Sequence, residues 1–314
     1  MTASHAGPTP NAPYRCGYVA LAGRPNVGKS ALLNALVGEH LSIVSPKAQT
    51  TRERVSGILT SPTHQILFID APGLIDPGYA LQESMRWSAL KAIKDADVVA
   101  YISDATRPDT LPDAGVAEAL DRRSLSVIVA INKIDLVDGV TEARLSEQVR
   151  ACGFDVLSIS AVTGRGTNEL LGRILPLLPE SPPLFPPGDT STQPLRFFAE
   201  ELVRESCLDL FREELPYSIV CRVEEFREEQ DPVYIRVIIY VERESQKGIV
   251  IGRGGSAIKR VGELSREKIE RLLGRGIYLE LRVKVMPSWP RKRGQLRQFG
   301  FGLPPNADSG QKRY

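Results

Sequence analysis

The run GRPNVGKS, Gly23 to Ser30, constrains this chain more than any other feature. It fits G-x-x-x-x-G-K-[ST], follows the apolar run YVALA and opens the helical pattern KSALLNALV, which is the setting a phosphate-binding loop requires. Glycines let backbone N–H groups turn inward and cradle phosphate oxygens. The helix N-terminus adds favourable partial charge. Gly23, Arg24, Pro25, Asn26, Val27, Gly28, Lys29 and Ser30 are therefore candidate nucleotide-binding residues. Lys29 is placed to reach the β and γ phosphates, and the Ser30 hydroxyl to ligate Mg²⁺.

Around this loop the chain alternates short apolar runs with stretches of helical length. Strands are expected near 18–22, 54–59, 65–70, 98–103, 126–132 and 156–160, with helices such as 30–37, 83–94 and 168–178 between them. That alternation predicts an α/β domain with a mostly parallel sheet covered by helices. The second and third strands lie too close for a crossover helix and should pair antiparallel.

Two further motifs end buried strands. NKID, Asn132 to Asp135, follows SVIVAI. A carboxylate there can accept from N1–H and the 2-amino group of guanine, whereas adenine offers neither donor and would leave the acid buried and unpaired. Asn132, Lys133 and Asp135 are thus candidates for base selection. Ser160 and Ala161 follow the next strand, where a backbone amide could meet the guanine 6-oxygen. DAPG, Asp70 to Gly73, ends QILFID, so Asp70 would reach Mg²⁺ through water and the Gly73 amide would sense the γ-phosphate. Ala71, Pro72 and Leu74 flank the same site. The polar loop 40–52 carries Gln49, Thr50 and Thr51 as a candidate switch, with Thr51 preferred for Mg²⁺. Lys29, Thr51, Asp70 and Gly73 form the expected catalytic set.

In this order the motifs of residues 15–178 resemble the translation-factor-related GTPases, which bind GTP·Mg²⁺ and hydrolyse the γ-phosphate. Leu74 stands where Ras-like members carry the glutamine that positions water, which implies slow intrinsic turnover. An asparagine at the place of Asn26 helps related GTPases hold K⁺. The resemblance therefore implies a K⁺ requirement, and equal turnover in Na⁺ and K⁺ would exclude it.

The net charge of +2 hides an asymmetry, because residues 1–190 carry a net −3 and residues 191–314 a net +5. Between the halves, 179–194 is proline-rich and reads as a linker. The order that follows is α-β-β-α-α-β. It places Gly252-Arg253-Gly254-Gly255 between two helices with Lys259 and Arg260 beside it. This is similar to a type II KH domain, in which a glycine turn lets the backbone approach sugar-phosphate and single-stranded bases lie alongside. Those six residues are the candidate RNA contacts, with Arg253, Lys259 and Arg260 supplying positive charge. Ile249, Ile251, Ile258 and Val261 suit either an RNA groove or the core.

The expected organisation is a disordered tail over 1–14, a GTPase domain over 15–178, a linker over 179–194, an α+β KH domain over 195–290 and a basic tail over 291–314. A GTPase followed by a KH domain, with KAQTTR, ELPYS, VIGRGG and the closing KV–SW, resembles the Era family of bacterial small-subunit assembly GTPases. The resemblance implies GTP or GDP with Mg²⁺ as ligands, and small-subunit ribosomal RNA near its 3′ end and the 30S subunit as partners. It also implies loose membrane association. A constitutive RNA-binding protein with a structural nucleotide site, and a GTPase acting on another RNA, remain alternatives at this level. The four cysteines form no C-x-x-C pair, the three histidines are scattered, and the first residues lack an apolar signal region, so a reduced cytoplasmic protein is expected.

Overall fold

The computed structural model describes residues 13–45, 47, 49–112 and 126–305. They form two compact units. The first comprises the described residues of Met1–Val44, Arg54–Leu74 and Ala89–Thr192, and the second those of Ser45–Glu53, Ile75–Ser88 and Gln193–Tyr314. Residues 1–12 of the expected N-terminal tail lie outside the described set, as do Ala48 and 306–314.

In the first unit, strands β1 (Arg15–Ala22), β2 (Val55–Thr60), β3 (His64–Asp70), β4 (Val98–Asp104), β5 (Ser126–Asn132) and β6 (Asp155–Ser158) form one sheet. Its order is β2-β3-β1-β4-β5-β6. β2 pairs antiparallel with β3, and the other pairs are parallel. Every residue of β4 is buried, as expected of a strand covered on both faces. Chain order reverses about β1, so its carboxyl end opens the crevice where such sheets bind ligands. There the chain enters α1 (Lys29–Val37), whose Leu32, Leu33 and Leu36 are buried. Helices α3 (Gly139–Ala151) and α4 (Thr167–Ile174) follow the later strands. Asp138 caps α3 by accepting from the Thr141 amide at 2.7 Å.

The segment expected to be a free linker is instead strapped to this unit. Gln65 on β3 is fully buried, and its Oε1 accepts from the amides of Leu184 and Phe185 at 2.8 and 3.0 Å. The Ile58 amide donates to the Thr190 carbonyl at 2.8 Å, which covers the exposed edge of β2. Proline cannot continue a helix or donate to a sheet, so the composition read as a tether, but buried side-chain partners hold it.

The second unit contains α5 (Leu195–Leu210), α6 (Leu215–Ser218), β7 (Val220–Arg227), β8 (Val233–Val241), α7 (Glu244–Ile251), α8 (Ser256–Leu273) and β9 (Ile277–Val285). β7 and β8 are antiparallel, and β8 and β9 parallel. Alternate residues of β8 (Val233, Ile235, Val237, Ile239 and Val241) are fully buried in its core with Val250, Val261 and Ile269 of the helices. Residues 75–88, including the first turns of α2 (Ala80–Asp95), group with this unit.

The expected basic tail is also corrected over its described part. A short helix, α9 (Arg293–Gln298), follows Trp289. Trp289, Leu296, Phe299 and Phe301 are buried with Ala80, Leu81, Met85 and Val220. The Trp289 indole N–H donates to the Ser218 carbonyl at 2.8 Å. Charge dominates the composition there, yet the apolar residues between the charges close a core. Leu296→Ala should therefore destabilise the protein by about 2–5 kcal/mol, measured by denaturant unfolding.

Candidate functional site

Backbone conformation builds the first site. Gly23 and Gly28 have φ of +141° and +97°, and Asn26 has φ +64°. A Cβ at Gly23 would lie 2.2 Å from the Ile102 carbonyl oxygen, and one at Gly28 would lie 2.2 Å from Asn132 Nδ2. Only glycine fits between the loop and these neighbours at those two positions. The DAPG turn closes against it, since the Leu74 amide donates to the Gly23 carbonyl at 3.0 Å and a Cβ at Gly73 would lie 2.6 Å from the Pro25 nitrogen.

Lys29 is buried at the base of the loop, and its Nζ donates to the Gly23 and Arg24 carbonyls at 3.4 and 3.0 Å. Burial draws its pKa down to about 8, against the opposing pull of Asp70. Ser30 Oγ donates to Asp70 Oδ2 at 2.6 Å. Two hard oxygens thus converge beside an open amide cradle and a buried cation, a donor set that fits Mg²⁺ with a phosphate chain. Leu74 is half-buried and packs against the apolar cluster of Ile69, Ala71, Ala89 and Ala92, so its side chain offers nothing to a water.

A pH dependence follows with a definite sign. Bound phosphates favour charged Lys29, so above pH 8 binding must first take up a proton. Nucleotide affinity should fall by up to about tenfold per pH unit as the pH rises from about 8 to about 9, below the range in which guanine N1–H itself deprotonates. Titrations across that range should show the slope, and Lys29→Met should abolish it.

The second loop is tied to the first by Asn132. Its Nδ2 donates to the Val27 carbonyl at 2.9 Å, and its Oδ1 accepts from the Ala161 amide at 2.9 Å. The Ala161 amide is thus directed to Asn132, in the stretch where a backbone amide was expected to meet the guanine 6-oxygen. Ser160 is buried, and its Oγ accepts from the Thr163 amide at 3.2 Å, which shapes the same turn. Lys133, at φ +65°, donates to the Asn26 carbonyl at 2.7 Å and to Asp104 Oδ2 at 2.5 Å. Asp135 is exposed beside them. Asp104 was not singled out from the sequence. Burial would raise its pKa, but hydrogen bonds from Lys133 and Thr106 outweigh that and hold it below the usual carboxylate range. Its one sequence signal is an acid ending an apolar strand, as Asp70 does.

Gln49, Thr50 and Thr51 belong to the second unit, whereas Ser30 and Asp70 belong to the first. Thr50 is buried, and its hydroxyl donates to the Lys47 carbonyl at 2.7 Å. Its carbonyl accepts from Arg204 Nη2 at 2.7 Å. Thr51 is half-buried. Arg52, inferred from the sequence only as part of a motif, is buried and donates to the carbonyls of Ile219, Tyr217 and Pro216 at 2.5, 2.8 and 3.2 Å.

The glycine turn of the second unit joins α7 to α8. Gly252, Gly254 and Gly255 all have positive φ, at +75°, +60° and +80°. A Cβ at Gly252 would lie 2.7 Å from Ala257, while Gly254 and Gly255 face open space. Arg253, Lys259 and Arg260 are exposed, the last paired with Glu263 at 3.2 Å. Val261 is core, whereas Ile249 is 55% exposed beside the turn. An open backbone with flanking cations can receive a phosphodiester.

Among the described residues no cluster of three or more His, Cys, Asp and Glu side chains could hold a metal by itself, and no helix is long and apolar enough to cross a membrane.

Residues 18–133 match the family described as 50S ribosome-binding GTPase, and residues 214–290 match the KH domain family. GTPase Era of Carboxydothermus hydrogenoformans is 43% identical over 292 residues, covering 92% of this chain and 98% of that protein. GTPase Era of Thermotoga maritima is 42% identical, covering 88% and 94%. A solved structure of Era in complex with MgGDPNP and nucleotides 1506–1542 of 16S ribosomal RNA matches with a TM-score of 0.88 at 39% identity, covering 92% of this chain and 100% of that one.

Proposed function

The chain belongs to the Era family of GTPases, and from that premise we propose that it is a GTP-controlled switch that binds small-subunit ribosomal RNA near its 3′ end and assists 30S assembly. The protein hydrolyses GTP and uses Mg²⁺. In the proposed assignment, the backbone amides of Gly23 to Ser30 hold the phosphates, Lys29 neutralises developing charge, and Ser30, Thr51 and Asp70 position the metal. Gly73 senses the γ-phosphate, while Asn132, Lys133, Asp135, Ser160 and Ala161 shape the guanine site. With Leu74 in place of a water-orienting amide, intrinsic turnover is slow. The turn Gly252–Gly255 with Lys259 and Arg260 takes the RNA backbone. The K⁺ role of Asn26 and peripheral membrane contact follow from the family resemblance, and a cytoplasmic location also agrees with the unpaired cysteines.

One observation carries the link between nucleotide and RNA. The described residues of 45–53, which include the switch threonines, group with the glycine turn in the second unit, and Arg204 holds the Thr50 carbonyl there. A γ-phosphate that recruits Thr51 would compete with those bonds, and the bias cannot exceed the difference in free energy between nucleotide states.

The test is the affinity for a 3′-terminal small-subunit rRNA oligonucleotide at fixed salt, with a GTP analogue and with GDP. Nucleotide-dependent binding that is lost in Gly254→Asp is expected. Equal binding with GDP, the analogue or no nucleotide would favour a constitutive RNA-binding protein.

A further inference from the structure

We propose that the second unit carries a separate base-binding pocket that takes one nucleobase with an exocyclic amino group, from the RNA strand held at the glycine turn. The proposal rests on the RNA-binding reading above. The pocket is a half-open cavity of about 230 Å³ between Tyr79, Tyr217 and the start of α7. The glycine turn follows the other end of α7, so eight residues, or about 12 Å, separate the two along one helix.

The walls are fixed by bonds of their own. Gln246 is buried, and its Oε1 accepts from the Glu242 and Arg243 amides at 2.9 and 3.1 Å. Ser218 is buried, and its carbonyl accepts from Trp289. Against this frame stand two tyrosines, one of them under the Arg291 guanidinium at 5.7 Å. Glu214, Glu242, Arg243 and Arg291 share the cavity, yet among the described residues no ion pair joins any of them. Two carboxylates and two guanidiniums left unpaired around one space suit a ligand with both amino donors and a phosphate.

A single nucleotide has that chemistry. The ring stacks on Tyr217 or Tyr79, a contact that tolerates any base because every base has a π face. Glu214 and Glu242 accept from the amino group of cytosine, adenine or guanine, whereas uracil has no such donor. Arg243 and Arg291 meet the phosphate outside. The volume falls below the 300–1,000 Å³ usual for drug-sized ligands, which limits the interior to one ring system. Tyr79 lies in the segment that follows DAPG, so an inserted base would touch the chain leaving the γ-phosphate sensor.

The experiment uses the full-length protein with a GTP analogue and RNA equivalent to nucleotides 1506–1542 of 16S ribosomal RNA, substituted with uridine at each A, C or G in turn. Tyr217→Ala should weaken binding by about 5- to 100-fold while Tyr217→Phe stays near native. At one RNA position, uridine should weaken binding to the native protein about tenfold yet add nothing in Tyr217→Ala, the non-additivity expected of partners in contact. Independent losses at every position would overturn the proposal. So would native RNA affinity in Tyr217→Ala, which would leave the pocket to a peptide or to no ligand. Gly254→Asp separates the two readings. If it binds RNA like the native protein, the RNA reading itself fails. If it loses RNA while Tyr217→Ala does not, only the pocket falls.

Discussion

Gly28→Ala is expected to weaken GTP and GDP binding by at least about 100-fold, whereas Gly38→Ala leaves it unchanged. Both glycines have positive φ, +97° and +82°, so both alanines carry backbone strain of about 1–3 kcal/mol. Only Gly28 faces an obstacle. A Cβ there would sit 2.2 Å from Asn132 Nδ2, whereas one at Gly38 meets nothing within 4 Å. Asn132 cannot step aside freely, because Val27 and Ala161 hold its two ends. The loop must therefore shift, taking its inward amides out of line. Hydrogen bonds to charged groups are worth about 1.5–3 kcal/mol each, so two misaligned amides already cost about 3 kcal/mol, or a hundredfold. Titration with a fluorescent GDP analogue measures this directly. Near-native affinity in Gly28→Ala would mean that the cradle does not hold the phosphates. Gly38→Ala serves as the control for strain, with a stability loss of about 1 kcal/mol and native affinity.

What was legible in the sequence is what short stretches of chain encode. GRPNVGKS, DAPG and NKID each pair a strand end with the residues that follow it, and the structure places each at the carboxyl end of β1, β3 or β5. GRGG announced a helix–turn–helix, because three of its residues need a conformation that glycine alone adopts easily. Features that join distant segments left no such mark. Asn132 was legible as a base-loop residue but not as the tie between two loops 105 residues apart. Gln65 holding Leu184 and Phe185, and Trp289 gathering Leu296, Phe299 and Phe301, depend on which surfaces meet in three dimensions. Proline content in one segment and basic charge in the other concealed both.

Arg52 extends that contrast to the switch segment, and its removal should be among the most costly substitutions in the second unit. Its guanidinium is buried and satisfied by three backbone carbonyls, those of Pro216, Tyr217 and Ile219. It also lies 5.8 Å from the Trp289 ring centroid. Burial, with the neighbouring Arg204, draws its pKa down to about 10, so it stays charged at pH 7. Arg52→Met keeps most of the volume but leaves those carbonyls without their donor. Each unsatisfied acceptor costs about 1–3 kcal/mol, and a total loss of about 3–5 kcal/mol is expected. That is a large fraction of the 5–15 kcal/mol that holds a typical domain together. Lysine should recover only part of it, because a single ammonium cannot match the planar fork that spans several carbonyls. Thermal unfolding should therefore rank native above Arg52→Lys above Arg52→Met. GDP affinity below the transition should stay within about threefold of native, because the phosphate and base loops lie in the first unit. An Arg52→Met protein within 1 kcal/mol of native would show that the segment 45–53 is not anchored by these bonds, and the competition proposed between the γ-phosphate and the RNA-binding unit would lose its physical basis.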